Sequence, residues 1–380
     1  MVEFTAEQKQ LAESVRDFTR KEVIPIAQQV DQNNEIPWDF RKKMANLGYF
    51  ARIVPKELGG QGLGVTELCI QEEELAYGSA TIASSTMAST LFQTPLYLFG
   101  TKEQMERFMI PIQRGEAMGS FGLTEPKHGS DFASIESTAV RDGSEYVLNG
   151  SKRYIDNTAV SRFFTVWVKT DVNATPKHKG VSLFIVERDH PGFVIDEIND
   201  VIGLRGLGVG GFSYKDCRIP KANLVGEENQ GFYYAMTTLE RGRTPTAAIC
   251  IGLAQAALDA AKEFAKSRVQ FGQPIANFQM IKSKIADMAT AIEASRLLTY
   301  RAAKLVDARI RSDREACMAK LLAAQTVMMV SSEAVQIFGA RGCMKEFPVE
   351  RFYRDARIFT IGEGTLEMQR LVIARRELES

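Results

Sequence analysis

The spacing of apolar residues changes twice along this chain of 380 residues. Apolar residues recur at helical intervals up to about residue 118, alternate with polar residues between 119 and 230, and return to helical intervals from 231 to 380. A sequence with these changes of period folds into separate helical and β layers rather than one continuous bundle or sheet. The sequence therefore predicts an α+β multidomain protein, with a helical domain at 1–118, a β domain at 119–230 and a helical bundle at 231–380.

Local signals support both helical regions. Thr5 and Gln8 have the spacing of a capping box, which begins a helix by satisfying its first N–H groups. Near the other end of the chain, residues 315–339 are apolar on almost every side, which is typical of a helix buried in a bundle or in a subunit interface. We expect Gly339 and Gly342 to end that helix.

The middle region has the pattern of strands joined by short turns. Residues 137–155 alternate around Asp142-Gly143, a pair typical of hairpin turns, and residues 163–171 and 180–189 are rich in β-branched and aromatic side chains. No helical pattern separates these strands, which disfavours parallel βαβ units. We therefore predict an antiparallel barrel or sandwich.

Composition argues against several kinds of function. The 47 basic and 47 acidic residues cancel, and no dense Lys/Arg cluster provides the basic surface expected of a nucleic-acid-binding protein. The five cysteines and three histidines are scattered without metal-ligand spacing, so we expect no metal site and a reducing compartment. No run reaches the ~18 apolar residues of a membrane span, and the first residues lack a signal-peptide pattern. These features indicate a cytoplasmic protein without a membrane span.

Three stretches that contain glycine carry candidate binding residues. Residues 121–131, FGLTEPKHGSD, place hydroxyls and backbone N–H groups beside a glycine, which suits a flat polar ligand or a phosphate but also a structural loop. Residues 267–279 place Arg268 three residues before Phe271, which suits a nucleotide but also an ordinary helix end with a favourable cation. The third stretch is 336–342. No GxGxxG follows a strand and no Walker A loop is present, so a dinucleotide would need another fold.

One acid near the C-terminal end, Glu363, lies between Gly362 and Gly364. The glycine pair gives the backbone freedom and removes side-chain cover, which exposes the acid to a ligand that comes close. On this triplet alone, the commoner interpretation is a loop before a helix, with Glu363 as a solvated acid in the first turn.

Taken together and in order, these stretches resemble the acyl-CoA dehydrogenase flavoprotein family. The resemblance covers essentially the whole chain and rests on FGLTEPKHGSD, LNGSKRYIDN, LERGRTPTAA, RVQFGQPIANFQ, QIFGARG, RFYRDARI and IGEGTLEMQRLVIAR. It implies an N-terminal helical domain, a middle β domain, a C-terminal four-helix bundle, one FAD per subunit and a homotetramer. A subunit interface would account for the apolar residues 315–339.

The resemblance also implies which residues bind FAD and substrate. Residues 121–130 would pack on the isoalloxazine ring, 154–156 would lie at its other edge, and 268–271 and 336–340 would reach the FAD of a neighbouring subunit. The implied cofactor-binding residues are Phe121, Leu123, Thr124, Gly129, Ser130, Tyr154, Ile155, Asp156, Arg268, Gln270, Phe271, Phe278, Gln279, Gln336, Gly339, Ala340, Thr365 and Glu367. The implied substrate contacts are Ser130, Glu240, Arg243 and Gly364.

In the family that this chain resembles, the position of Glu363 is that of the catalytic base. Removing the weakly acidic α-proton of a thioester needs a positioned base, and burial under substrate raises the pKa of a carboxyl group toward working pH. In the family, the backbone N–H of the base and a ribityl hydroxyl of FAD stabilise the charge at the thioester oxygen, and hydride passes from the β-carbon to flavin N5. Gly242 matches the position of an alternative base in some members, which leaves Glu363 without a rival.

Two departures from the family pattern affect the expected site. Asp156 stands where a threonine or serine usually meets flavin N5. We expect it either to change flavin potential, oxygen reactivity or substrate position, or to turn away and bond to a neighbouring backbone N–H. Lys127 and His128 stand where small residues are usual. They either alter the CoA entrance or lie on a loop without a role in binding.

Residues 79–98 match the region that shapes the acyl pocket of the family. They contain no charge, which argues against a free acyl carboxylate, and their small side chains favour a short, branched or alicyclic acyl group. An acyl-CoA oxidase, a monooxygenase-like member, an enoyl-CoA reductase and a dehydrogenase of carrier-protein-bound acyl groups share the fold and stay open as alternatives. The balanced charge and Glu363 disfavour a non-enzymatic flavin scaffold. The resemblance implies electron-transferring flavoprotein as the electron acceptor.

Overall fold

The structure is a computed structural model that describes residues 3–379. Helices precede and follow a large curled sheet, which confirms the predicted fold class. Secondary structure changes from helix to strand between Gln113 and Gly119, and returns to helix between Asn223 and Gly231. The domain boundaries at 118 and 230 stay predictions.

The helices before the sheet are α1 (Ala6–Phe18), α2 (Ile24–Asn33), α3 (Trp38–Asn46), α4 (Val65–Gly78), α5 (Ala80–Phe99), α6 (Lys102–Phe108) and α7 (Ile110–Gln113). The predicted capping box begins α1: the Thr5 hydroxyl accepts from the Gln8 N–H at 3.2 Å, and the Gln8 side chain accepts from the Thr5 N–H at 3.0 Å. Every residue of α5 from Ala80 to Leu96 is buried. Helix α5 therefore lies at the centre of the molecule, between the other helices and the sheet.

The sheet is built from β1 (Gly119–Gly122), β2 (Thr138–Asp142), β3 (Glu145–Ile155), β4 (Phe163–Lys169), β5 (Val181–Glu187), β6 (Phe193–Ile198) and β7 (Gly210–Pro220). The β2–β3 hairpin is confirmed, with Asp142 opposite Glu145 and a left-handed φ of 61° at Gly143. However, β1 and β2 both pair with β4 in the parallel direction, so the prediction of a wholly antiparallel sheet is wrong. Hairpin turns fix only the pairing of strands adjacent in sequence, and these two pairs join distant segments.

The bundle after the sheet consists of α8 (Gly231–Ser267), α9 (Gln279–Asp307), α10 (Asp313–Phe338), α11 (Val349–Ile358) and α12 (Leu366–Glu379). A short hairpin, β8 (Val269–Gln270) and β9 (Gln273–Pro274), connects α8 to α9. Gly339 ends α10 with a left-handed φ of 61°, as the sequence predicts.

Helix α10 with its short extension to Cys343 is long and apolar enough to cross a membrane by length and composition alone, which the sequence analysis did not expect. Half of its most apolar window is buried within the protein. The helix packs against α8, α9, α11 and α12. These contacts are those of a core helix, which passes the same test of length and composition.

Trp167 on β4 joins the sheet to the bundle. Its side chain is fully buried, and its Nε1–H donates to the carbonyl of Gly231, the first residue of α8, at 2.8 Å. The ring of Phe121 on β1 packs against the Trp167 ring, with 4.4 Å between centroids. The start of α8 and the segment after β1 are therefore held at a fixed distance from each other.

A buried ion pair fixes the segment after β1. Lys152 is fully buried, and its Nζ lies 2.8 Å from Oε1 of Glu125, which is 4% exposed. The same ammonium donates to the carbonyls of Trp167 and Leu123, and the Glu125 carboxylate accepts from the N–H groups of Glu136 and Ser137. Because each charge is fully hydrogen-bonded, removal of one partner leaves the other buried and uncompensated.

We expect Lys152→Met to destabilise the protein by about 3–5 kcal/mol, because it strands the Glu125 carboxylate in the core. Thermal and urea unfolding monitored by circular dichroism would measure the loss. The double variant Lys152→Met/Glu125→Gln removes both charges and should recover part of that stability. An unchanged unfolding temperature in Lys152→Met would contradict this account of the pair.

Candidate active site

Glu363 lies in the turn between α11 and α12, and its backbone is strained. Its φ is +55° and that of Gly364 is +90°, both in the left-handed region. A side chain other than glycine is uncommon there, and such strain costs of order 1–3 kcal/mol unless the surrounding structure holds it. Strained residues of this kind cluster at functional sites, which favours the functional interpretation of the glycine-flanked acid.

Two side chains hold this turn through its carbonyl groups. Lys320 of α10 is fully buried, and its Nζ donates to the Gly364 carbonyl at 2.7 Å. The Gln369 amide of α12 donates to the carbonyls of Gly364 at 3.0 Å and Glu363 at 3.3 Å. Sequence reasoning missed Lys320, although a lysine inside the otherwise apolar stretch 315–339 was the available signal.

The Glu363 carboxylate faces a tight and largely apolar corner. Its Oε2 is buried and has no hydrogen-bond partner in the described part of the chain. A Cβ added at Gly242 on α8 would lie 3.1 Å from that oxygen and 2.7 Å from Cδ2 of Leu91 on α5. Burial raises the pKa of Glu363 above its usual value, although the Thr246 hydroxyl and the positive charges of Lys320 and Arg243 oppose this rise. A carboxylate in this environment has an increased affinity for a proton.

The two predicted substrate contacts on α8 have different surroundings. Nε of Arg243 is buried without a partner in residues 3–379. Oε1 of Glu240 accepts from the N–H and hydroxyl of Ser312, at 3.1 and 3.0 Å, just before α10 begins. Arg243 thus has a free donor beside Glu363, whereas one oxygen of Glu240 fastens two elements of the bundle together.

Asp156 follows the end of β3 and lies on the Glu363 side of the sheet. Its carbonyl accepts from the Ser120 hydroxyl at 2.7 Å, whereas its carboxylate has no hydrogen-bond partner in the described structure. The space between the 363–364 turn and the end of β3 is the cleft. Desolvation by its walls and repulsion from the Glu363 carboxylate raise the pKa of Asp156 to about 7, although the side chain stays accessible to solvent. The expected alternative, a bond to a neighbouring N–H, is not observed.

Comparison with known proteins identifies the family. Family models of the acyl-CoA dehydrogenase N-terminal, middle and C-terminal domains match residues 5–116, 120–217 and 229–378. The chain belongs to the acyl-CoA dehydrogenase family. It is 43% identical to the probable acyl-CoA dehydrogenase YngJ of Bacillus subtilis over 99% of both chains. It is 42% identical to the human mitochondrial short-chain specific acyl-CoA dehydrogenase, covering 100% of this chain and 92% of that one.

Solved structures agree with this assignment. A chain in the structure described as the electron transferring flavoprotein of Acidaminococcus fermentans is 37% identical, with a TM-score of 0.97 and full coverage of both chains. Butyryl-CoA dehydrogenase from Megasphaera elsdenii is 35% identical, with a TM-score of 0.96 and full coverage of both chains. The protein is thus an enzyme of the acyl-CoA dehydrogenase family, whose members are FAD-containing oxidoreductases.

The segment 121–131 has groups that fit a flavin. Phe121 gives an apolar support backed by Trp167, and the hydroxyls of Thr124 and Ser130 make no hydrogen bond within residues 3–379. No atom lies within 4 Å of a Cβ built at Gly129, so a ligand has room to approach the backbone there. Tyr154 is 67% exposed, whereas Ile155 is buried. Lys127 contacts Glu136 at 3.3 Å at the surface of the same segment.

A second group of predicted FAD residues lies at the far end of α8. The Phe271 ring is 94% exposed, and it meets the Phe278 ring edge to face. Stacking of Phe264 on Phe338, with 4.1 Å between centroids, brings this hairpin and the end of α10 together. This group contains Arg268, Gln270, Phe271, Phe278, Gln279, Gln336, Gly339 and Ala340.

The helix α8 separates this second group from Glu363. The 26 residues from Gly242 to Ser267 span on the order of 35–40 Å of helix. A single copy of the chain therefore does not bring the two groups together. Thr365 and Glu367 do lie beside Glu363, at the start of α12, and Glu367 is exposed there. Their contacts with FAD stay predictions, and the described residues contain no cluster of metal-ligating side chains.

We expect Asp156→Asn to raise the unfolding temperature of the flavin-free protein more at pH 8 than at pH 5. The folded-state pKa of about 7 lies above the value of 3.8 for a free aspartate, so the carboxylate becomes increasingly destabilising as pH rises between these values. Because the side chain is accessible to solvent, the rise should be on the order of 1 °C.

Differential scanning calorimetry at both pH values would test this expectation. Asp189→Asn, at an exposed aspartate without a hydrogen-bond partner in the described structure, is the matched control. An equal effect of both substitutions, or one independent of pH, would show that Asp156 is not perturbed by the cleft.

Proposed function

We propose that this protein catalyses the α,β-dehydrogenation of an acyl-CoA thioester with Glu363 as the base. The Glu363 carboxylate carries the proposal, because its Oε2 is buried, unpartnered and held on a strained turn at the edge of the cleft. A buried carboxylate oxygen without a hydrogen-bond donor is costly unless a ligand uses it. Abstraction of an acidic C–H proton is a use that needs no donor in the protein.

The chemistry follows from this placement. As the Cα–H bond of the thioester breaks, Glu363 Oε2 forms a new O–H bond, and the electron pair enters a Cα=Cβ double bond as a hydride leaves the β-carbon. Bound FAD supplies the hydride acceptor. The raised pKa of Glu363 brings the base closer to working pH and increases its proton affinity.

A backbone donor is available for the thioester oxygen. The N–H of Glu363 makes no hydrogen bond to the protein within residues 3–379. Donation from this N–H would stabilise the negative charge that develops on the oxygen as the α-proton is removed. The positive φ values at Glu363 and Gly364 give this turn its shape. The strained backbone therefore also sets the position of the free N–H donor. Ser130 and Arg243 are the proposed contacts to the CoA moiety.

The acyl group is proposed to be uncharged and short, branched or alicyclic. A cavity of about 470 Å³ lies beyond Gly242 and is lined by Met87, Thr90 and Thr94 of α5. These side chains of α5 carry no charge, and the charged residues that line the cavity lie on other segments: Glu67, Arg241, Lys304, Asp307 and Arg309. The acyl chain would pass Glu363 at its α-carbon and extend along α5, where a small cavity limits its length.

Electron-transferring flavoprotein is the proposed electron acceptor, on the strength of the family and of the Acidaminococcus structure. A homotetramer is proposed because the predicted FAD residues fall into two groups at opposite ends of α8. The family resemblance supports the same assembly. The proposed location is the cytoplasm.

We expect Glu363→Gln to lower kcat by about 10²–10⁴-fold or more while FAD stays bound, because the amide cannot accept the α-proton. The measurement is anaerobic loss of oxidised-flavin absorbance on mixing with straight, branched, alicyclic and dicarboxylyl acyl-CoAs. Rapid bleaching with one class in the parent, absent in the variant, would support the base and name the substrate class.

Other outcomes separate the alternatives. Bleaching by dicarboxylyl-CoAs alone would overturn the uncharged acyl group and implicate the arginines of the cavity. Bleaching only by carrier-protein-bound acyl groups would favour the carrier-dependent alternative, and oxygen uptake during turnover would favour an oxidase. Undiminished bleaching in Glu363→Gln would refute the assignment of the base.

We expect Gly242→Ala to lower kcat/KM on the order of 10²-fold, because its methyl group would press on Leu91 and on the Glu363 carboxylate. Steady-state kinetics with the substrate found above would measure the effect. Gly362→Ala is the matched control, since its Cβ would lie 3.5 Å from the nearest atom outside its chain neighbours, the Ile358 carbonyl oxygen. Equal losses in both variants would show that the Gly242 contact has no special role.

A further inference from the structure

Lys320 is a fully buried lysine on an otherwise apolar face of α10. Its neighbours Ala316, Cys317 and Ala319 are all fully buried. Placing an ammonium group in such surroundings is costly unless it is hydrogen-bonded and paired with opposite charge. The only hydrogen bond that Lys320 makes with residues 3–379 goes to the Gly364 carbonyl. Stability alone therefore gives no reason for a lysine at this position.

The Glu363 carboxylate, in turn, is not directly paired with the Lys320 ammonium group. Its Oε2 is buried without a donor, and no ion pair within 4 Å joins it to Lys320 in the described structure. A direct ion pair would cap the carboxylate and occupy the oxygen that must accept a proton. Holding the adjacent peptide instead keeps the positive charge near the base and leaves that oxygen free.

All charged and titratable groups near the base bear on this arrangement. Arg243 and Cys250 approach from α8, Lys320 approaches from α10, and Asp156 approaches from the end of β3. Burial raises the pKa of Cys250 to about 12, so this thiol stays neutral at working pH. Burial lowers the pKa of Lys320, and the negative charge of Glu363 opposes this shift. Arg243 is expected to engage the substrate, which leaves Lys320 as the second cation near the base.

We propose that Lys320 is a positioning residue for the base: its ammonium group clamps the Gly364 carbonyl and supplies positive charge to the Glu363 carboxylate without capping it. The inference rests on the proposed role of Glu363. It predicts that loss of the charge makes the base harder to ionise, and that loss of the clamp disturbs the strained turn. Both effects act on proton removal more than on substrate binding.

Lys320→Met keeps the length of the side chain and removes the charge and the donor. We expect the acidic limb of the kcat/KM profile to move up by about one pH unit, because a nearby opposite charge changes a carboxyl pKa by about that much. Activity below the limb should fall about tenfold and recover at higher pH, with KM changed less than kcat. Lys320→Arg keeps the charge and should restore the position of the limb.

A second readout does not depend on turnover. A 3-thia-acyl-CoA has acidic α-protons but sulfur in place of the β-carbon, so it can lose a proton to the base but no hydride. The pH midpoint of its deprotonation, followed by long-wavelength absorbance beside the flavin, reports ionisation of the base in the complex. This midpoint should shift in Lys320→Met and keep that shift when Asp156→Asn is added.

Controls separate this inference from a purely structural role and from failure of the proposed function. Val330→Ala removes buried packing from α10 and should lower the unfolding temperature without moving the limb or the midpoint. If the parent does not deprotonate the probe, the role of Glu363 fails. If the parent does and Lys320→Met has the same limb and midpoint, only the role of Lys320 fails.

A Lys320 variant that fails to fold also tests the proposal. Lys320→Gln keeps a hydrogen-bond donor without the charge, so it replaces Lys320→Met if the latter does not retain FAD. If neither neutral variant folds, the lysine is a structural requirement of α10 and the proposal is overturned.

Discussion

The close packing of α8 against α4 and α5 sets the position of every other part of the site. A Cβ at Gly252 would lie 2.0 Å from the Glu73 carbonyl, so α8 and α4 meet backbone to backbone. Ten residues earlier on the same helix, Gly242 leaves the space that the Glu363 carboxylate and Leu91 share. A larger residue at either position would push α8 outward and move it relative to α5 and the 363–364 turn. The geometry of the site therefore depends on this helix packing.

Two buried lysines donate hydrogen bonds to backbone carbonyl groups, which apolar residues cannot do. Lys152 donates to the carbonyls of Leu123 and Trp167, and Lys320 donates to that of Gly364. In both cases the bonded carbonyl belongs to a segment that borders the cleft or supports it. An apolar side chain of similar volume would avoid the cost of desolvating a charge, but it would remove these hydrogen bonds and hold the segments less firmly. These two buried charges thus hold segments whose geometry matters for the site.

The sequence predicted the features that depend on local signals. The Thr5–Gln8 capping box, the Asp142-Gly143 hairpin and the end of α10 at Gly339 each follow from a few neighbouring residues. The parallel pairing of β1 with β4 could not be predicted in this way, since no turn links the two strands. The role of Lys320 was not predicted because its partner is a backbone carbonyl 44 residues away. Every residue type has such a carbonyl, so the sequence does not indicate which one is bonded. The family resemblance identified Glu363, whereas only the structure shows that its Oε2 is unpartnered.

The length of α8 links cofactor binding to assembly. One predicted group of FAD residues lies beside Glu363, and the other follows the last turn of the helix, some 35–40 Å away. Within residues 3–379 the Phe271 ring is 94% exposed and contacts only the ring of Phe278 edge to face. If a second copy places this hairpin over the cofactor, each FAD site is complete only in the assembly. Dissociation would then weaken FAD binding without any change at Glu363, and loss of FAD would weaken the interface in return.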